Sequence, residues 1–396
     1  MKSRTAVKIG LGLVASVLAM SATAQTVKIG FISTYSGPMA SLGEEMERAV
    51  KLYMKLNGDK LPAGVKVELV ARDDGGPNPD KGKQLAQELI VRDHVNFLAG
   101  VVWTPSAIAI APLVTEAKVP FIVMNAGGSV ITTLSPYIVR TSFTLWQAAY
   151  PMGQWAAKKY KRAYIAVSDF APGHDSEAAF EKGFVTGGGE IVGRVRMPVS
   201  NPDFIPFMQR AKDAKPDIVF SFIPGGVQST QIMKAFGDLG LAKAGVKFVG
   251  TGDIVSDEEL PNMGDAPLGA VTAHHYSTAG DRPANKAFLA AWHKEYGAKA
   301  TPNFLSVASY DGMDAIYTAI REQNGKVDPD QTIAILKNYK NPNSPRGPIA
   351  IDPETRDIIQ NEYIRETRRV NGEMANVEIE TIPDAKDYWK VFNGKK

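Results

Sequence analysis

Near residue 27 the chain begins to alternate short β-branched runs with longer amphipathic ones. Residues 27–31, 65–70, 96–101 and 121–124 read as strands, separated by helix-period stretches at 44–56, 81–91 and 106–117. Strands joined through helices of ten or more residues pair in parallel, because only a crossover of that length returns the chain in the same direction. After 137–140 and a helix near 147–159 the series restarts. Strands at 164–167, 191–196, 218–223 and 247–250 alternate with helices at 175–183, 204–214 and 228–239. The pattern predicts an α/β fold of two Rossmann-like, flavodoxin-like lobes. A chain of 396 residues, 44% hydrophobic, can bury both cores.

The last third does not repeat the pattern. Residues 284–296 and 305–322 read as helices, the second with Ala308, Met313, Ile316 and Ile320 on one stripe, and the rest reads as short strands and polar turns. Such a segment cannot bury itself, so it should complete the two lobes, with crossings near 141–146, 273–277 and 351–359. The expected division is 26–145 plus 275–358 for lobe 1, and 146–274 plus 359–396 for lobe 2. A three-segment hinge between two lobes makes a cleft suited to trapping a ligand.

Residues 1–8 carry Lys2, Arg4 and Lys8 and no acid, 9–20 form an apolar run, and Ser21-Ala22-Thr23-Ala24 ends in A-x-A. This is the grammar of a secretory signal peptide cleaved after Ala24, and the run is shorter than the ~20 residues a membrane span needs. Removing those three charges from the net +3 leaves a neutral chain. That balance argues against nucleic acid as a partner. With no cysteine, disulfides, thiolate chemistry and cysteine-linked lipid are excluded. The expectation is a soluble periplasmic protein that is not lipidated.

The ordered blocks G-F-I-S-T-Y-S-G-P-M-A-S-L-G (30–43), D-D-G-G-P-N-P (73–79), L-A-G-V-V-W-T-P-S (98–106), P-F-I-V-M-N-A (120–126), Y-I-A-V-S-D (164–169), F-V-G-T-G-D (248–253) and S-Y-D-G-M-D-A (309–315) resemble the leucine/isoleucine/valine-binding family. These are substrate-binding proteins of ABC importers with the type I periplasmic binding fold. The resemblance implies capture of a branched-chain or related amino acid between two hinged lobes, an inner-membrane permease as partner, no cofactor and no catalysis.

Ligands of open parallel sheets bind beyond the carboxyl ends of the strands, where helix N-termini receive anions. Trp103-Thr104-Pro105-Ser106 and Asn125-Ala126-Gly127-Gly128-Ser129 lie at two such junctions. Thr104 reads either as a helix cap or as a ligand contact. The resemblance implies that the Thr104 hydroxyl and the backbone of Ala126 and Gly128 hold a carboxylate, with Asn125 beside them, and that Asp253 on lobe 2 faces an ammonium. Asp253 also reads as a turn residue. Tyr35, Trp103 and Tyr150 are candidate walls, with core packing near the hinge as the other reading of Tyr150.

This chain departs from the family pattern at several places. Leu42 replaces an aromatic, Gly128 followed by Ser129 replaces a hydroxyl, and Asp253 replaces Glu. Gly76 and Trp103 stand where relatives place a disulfide, and Pro172 and His174 where they present an aromatic. These departures leave an aromatic or other small carboxylate as an alternative ligand.

No G-x-x-x-x-G-K-[ST] loop or G-x-S-x-G elbow is present, and the glycines at 187–189 precede a strand, where a turn is expected. His274-His275 are adjacent, and successive strand residues face opposite sides, which disfavours a shared metal. Two other functional classes remain open. One is a periplasmic hydrolase using Asp73, Asp74 or His174, for which no nucleophile and base stand at recognisable spacing; the other is a sensory module on the same lobes.

Overall fold

Each lobe is built from the same strand-helix sequence, and the computed structural model, which describes residues 25–394, shows the repetition directly. The proposed leader and the tail Lys395-Lys396 lie outside the described residues. The first lobe starts β1 (Gln25–Ser33), α1 (Ala40–Asn57), β2 (Val65–Asp73), α2 (Pro79–Val91), β3 (Phe97–Gly100), α3 (Thr104–Ala117), β4 (Phe121–Val123) and β5 (Ile138–Arg140). Its five strands are parallel in the order β2-β1-β3-β4-β5.

The second lobe continues with α4 (Leu145–Ala157), β6 (Arg162–Ser168), α5 (Ala171–Thr186), β7 (Glu190–Met197), α6 (Ile205–Asp213), β8 (Ile218–Phe222), α7 (Val227–Asp238), β9 (Lys247–Thr251) and β10 (Val271–His274). These strands run β7-β6-β8-β9-β10, the same 2-1-3-4-5 order, so each lobe has a switch point beside its first strand. Central strands such as β3 and β8 are buried at every residue, as parallel strands covered on both faces must be.

The remaining elements are α8 (Pro283–Tyr296), α9 (Phe304–Glu322), α10 (Pro329–Leu336), β11 (Lys340–Asn341), β12 (Ile349–Ile351), β13 (Ile358–Val370), β14 (Glu373–Ala385) and α11 (Tyr388–Asn393). Helix α9 packs on α1. Here the structure differs from the short strands and polar turns read in this region. β13 and β14, each 13 residues long, form an antiparallel hairpin, and β13 adds to β10 in the second sheet. Buried Glu362 and Arg365 inside β13, together with exposed charges at its end and along β14, broke the apolar alternation that would have marked these strands. β11 and β12, read as part of lobe 1, pair through β13 into that second sheet, so the division at 358/359 falls inside a continuous strand.

Close approach of helix to strand end is needed at matching places in both lobes. A Cβ on Gly43 of α1 would lie 1.9 Å from the Thr34 carbonyl oxygen, and one on Gly173 of α5 1.7 Å from that of Ser168. Only glycine fits where each first helix folds back over its strand. The crossings are tied by two buried arginines. Arg346 donates to the Ser142 carbonyl at 3.0 Å, to Gln360 at 2.8 Å and to Asp311 at 2.8 Å, and Arg365 donates to the Tyr276 carbonyl.

Candidate functional site

A narrow cavity lies where the carboxyl ends of both sheets face each other. Lobe 1 contributes Val102, Trp103, Thr104, Asn125 and Gly127, the first crossing contributes Phe143 and Leu145, and lobe 2 contributes Phe170, Pro172, Phe222, Pro224 and Asp253. The cavity left among them is about 30 Å³, room for about one water, so a larger ligand enters only as the lobes part. Contacts around it join the lobes: the Ser129 N–H donates to Asp175 at 3.1 Å, and Ser41 and Leu42 of α1 abut Gly225 and Gly226. The lobes are therefore closed on each other.

The lobe 1 wall is set by a backbone turn. Gly100 and Val101 both have positive φ, +93° and +64°, and a β-branched residue in that region is strained. The turn holds because the Val101 N–H donates to the Ile32 carbonyl at 2.7 Å and its own carbonyl accepts the Ala126 N–H at 3.1 Å. It delivers Trp103, buried and oriented by its indole N–H on Thr34 Oγ1 at 2.9 Å; the Thr34 hydroxyl in turn donates to Asp74 at 2.7 Å. Burial pushes the Asp74 carboxyl above the usual range.

Thr104 does not cap α3; it is the first residue of that helix, and its Oγ1 accepts the Gly128 N–H at 3.1 Å. Its hydroxyl hydrogen is left to donate into the cavity, beside the N-terminal end of a 14-residue helix that favours an anion. Asn125 donates to the Val102 carbonyl at 2.9 Å, leaving its buried Oδ1 without a partner. Asp253 faces these groups from lobe 2. Its Oδ2 is buried and unpartnered, and burial pushes its carboxyl up to about 6. None of the lining residues is Lys, Arg or His.

The structure thus brings Trp103, Thr104, Asn125 and Asp253 together, and separates the rest of the expected set from them. The Ala126 and Gly128 N–H groups are already used, by the Val101 carbonyl and by Thr104, so in this closed form neither is free for a carboxylate. Tyr35 lies against Glu47, Ala71, Arg72 and Asp73 beside the edge strand β2, outside the cavity. Its backbone N–H, one residue past the Thr34 that orients Trp103, is held by Asp73 at 2.8 Å, and its ring packs against the core with the hydroxyl buried and unpartnered. Tyr150 packs on Tyr388 and Phe392 of α11, the core-packing alternative. His174 pairs with Asp169 at 2.8 Å on the surface.

Sequence reading missed Phe143, Phe170 and Phe222. Phe222 is the last residue of β8 and Phe170 follows β6 by two, which is the strand-end signal already used for lobe 1. Phe170, stacked on Phe222 with centroids 6.0 Å apart, supplies the lobe 2 aromatic sought at Pro172 and His174. The argument that adjacent histidines face apart also fails: β10 ends at His274, the chain turns, and the two Nδ1 atoms meet at 2.8 Å.

Two hinged parallel-sheet lobes closed over a small aromatic cavity define a solute-capturing protein. The periplasmic binding protein family model matches residues 26–372, and the chain belongs to that family. It is 50% identical, with a TM-score of 0.89 over 92% of this chain and 99% of the other, to a solute-binding protein of an ABC transporter from Rhodopseudomonas palustris BisB5 solved with 3,4-dihydroxybenzoic acid. Another R. palustris solute-binding protein, solved with 4-hydroxybenzoate, is 46% identical with a TM-score of 0.89 over 93% of this chain and all of that one. Leu/Ile/Val-binding protein homolog 6 of Brucella melitensis biotype 1 is 41% identical over 369 residues, 93% of this chain and 94% of its own length. The chain's function is that of a periplasmic solute-binding component of an ABC importer.

Proposed function

We propose that the chain captures a hydroxylated aromatic carboxylate between its lobes and presents it to an inner-membrane permease. The observation that carries this reading is the cavity's make-up: flat side chains, Trp103, Phe143, Phe170 and Phe222, around one unpartnered acid, Asp253, with no cation. The carboxylate is received by the Thr104 hydroxyl and the α3 N-terminus. The phenolic hydroxyl donates to Asp253, relieving an acceptor that burial leaves costly. The hydroxybenzoate complexes of the two R. palustris relatives support the same ligand class.

A second reading has one observation of its own. Asn125 Oδ1 and Asp253 Oδ2 are two unpartnered acceptors from opposite lobes, a pair that suits the ammonium of an amino acid such as the Brucella relative's name indicates. In both readings the two lobes follow the two sheets, with β11–β14 joined to the second, and the mature protein begins after Ala24, without lipid.

Thermal-shift and calorimetric titration with 4-hydroxybenzoate, 3,4-dihydroxybenzoate, benzoate and leucine decide between the readings. Hydroxybenzoates should stabilise most, benzoate less because Asp253 stays unpartnered, and leucine least. Stabilisation by leucine with none by any benzoate would overturn the aromatic reading.

A further inference from the structure

Beyond the cavity, a second set of buried acids meets across the lobe boundary. Glu258 belongs to the lobe 2 turn that begins at Asp253, and it is held there by the Ser256 hydroxyl, which donates to Oε2. Its stem keeps some exposure, but Oε1 is buried with no partner. From lobe 1 the Asn303 side chain, which caps α9, turns its amide toward Glu258, and Asn303 Nδ2 is likewise buried without a partner of good geometry. Glu45 of α1 faces Glu258 from the same side.

Each neighbour of this pair is identifiable. Glu45 accepts from Ser306 of α9 at 3.0 Å and from Arg48 at 2.8 Å, with Glu44 beside it and Tyr296 of α8 nearby. On the lobe 2 side Asp257 is engaged by Thr278, Asn376 and Arg365, and Glu259 by Thr230. The charged group acting on Glu258 is thus another carboxylate, and Arg48 is spent on Glu45.

We propose that Glu258 is a proton-linked closure latch: bringing the lobes together takes up a proton at Glu258, because closure moves its carboxyl from water to a position against Glu45 and Asn303. The inference rests on the reading that the lobes close over a ligand, and not on which ligand it is. In the closed form burial, then Glu45, pushes Glu258 up to about 8. With the lobes apart the side chain returns to water and to an ordinary carboxylate range. Between those two values closure is favoured at lower pH and loses up to about tenfold in affinity per pH unit as pH rises. Above the closed-state value this dependence levels off.

Calorimetric titration of the full-length mature protein with 4-hydroxybenzoate near pH 7, in buffers of different ionisation enthalpy, counts the protons taken up. The wild type should take up roughly one proton more per ligand than Glu258→Gln, whose affinity should vary less with pH. Glu45→Gln, which removes the facing charge and keeps Glu258, should lower the pH at which the dependence levels off without abolishing the proton uptake. Equal proton uptake and equal slopes in wild type and Glu258→Gln would overturn the latch. If Glu258→Gln does not fold, a levelling-off pH unchanged in Glu45→Gln does the same. If 4-hydroxybenzoate gives no heat, the ligand assignment has failed, and small-angle scattering of the ligand-free protein tests the latch alone. It should be more compact at about pH 5.5 than at about pH 8.5, and an unchanged radius would overturn the proposal.

Discussion

Asp253 Oδ2 and His274 Nε2 stand 3.8 Å apart, both buried and neither hydrogen-bonded. His274 Nδ1 accepts the His275 backbone N–H at 3.0 Å, so the neutral ring carries its proton on Nε2, toward Asp253. Burial and the charges of Arg365 and Arg346 hold His274 well below its usual pKa, so the ring is a neutral donor and not a counter-ion. The ligand-facing acid therefore sits over a donor just out of reach, and a ligand hydroxyl is the group that can satisfy it.

The charge on Asp253 has a definite pH signature. Its folded carboxyl is pushed up to about 6 by burial, above its ordinary value. A raised acid stabilises the fold most when protonated, and that contribution is lost as pH rises through the folded value. Asp253→Asn should therefore melt higher than wild type near pH 7.5, by at most about 3 kcal/mol on a shift of two units, with the gain fading by about pH 4. Melting curves of the ligand-free pair across pH check this, and a gain that does not vary with pH would rule out the charge as its cause. In binding assays Asp253→Ala should weaken hydroxybenzoates more than benzoate.

Trp103→Phe keeps an aromatic wall but removes the N–H on Thr34. The Thr34 hydroxyl then retains Asp74 as its only side-chain partner in this chain of three. The expected cost is about 0.5–1.5 kcal/mol of stability. Ligand affinity should fall as well, because that hydrogen bond helps to orient the ring. Denaturant unfolding and titration of the same variant read the two effects separately, and affinity equal to wild type would show that the indole does not shape the cavity.

The alternation of strands and helices and the two lobes were legible because parallel strands buried on both faces leave apolar runs that no surface helix imitates. The lobe 1 wall was legible for the same reason: Trp103, Thr104 and Asn125 lie directly after β3 and β4. What stayed hidden was set by tertiary pairing. The β13–β14 hairpin buries Glu362 and Arg365 and exposes its other charges, so it carries no apolar alternation and reads as loop. Phe143 reaches the cavity because it sits on the first crossing, whose path the local sequence does not encode. Tyr35 reads as a wall from its position after β1, but its ring packs beside β2 against the core, a tertiary contact that its local sequence does not encode.

Gly128 offers a way to disturb the ligand site with little effect on the core. A Cβ there would lie 2.5 Å from Thr104 Cγ2, and Thr104 is buried at the start of α3. Gly128→Ala must push Thr104 or bend its own loop, an overpacking cost of about 1–3 kcal/mol. Much of this should appear as weaker binding, because the hydroxyl displaced is the one that meets the carboxylate. Comparing 4-hydroxybenzoate with its methyl ester is diagnostic: the acid should lose its advantage in Gly128→Ala, and an unchanged preference would place carboxylate recognition elsewhere.

Arg346 joins elements that must pivot together, and its removal should be felt in both stability and closure. Its side chain is buried and bonded to Asp311, Gln360 and the carbonyls of Thr141 and Ser142, linking α9 to the first crossing and to β13. Arg346→Met would leave Asp311 buried and unpaired, a loss of about 3–5 kcal/mol. Asp311 is already pushed up to about 6 by burial despite the arginine, so without it the carboxyl should hold its proton to higher pH still. The deficit of Arg346→Met relative to wild type should then be largest above neutral pH and shrink as Asp311 protonates on the way down. Adding Asp311→Asn to Arg346→Met should recover part of the loss and remove most of its pH dependence. Chemical unfolding of the three proteins at two pH values tests this, and a deficit in Arg346→Met that is equal at both would mean that lost hinge packing, not the stranded carboxylate, is what destabilises it.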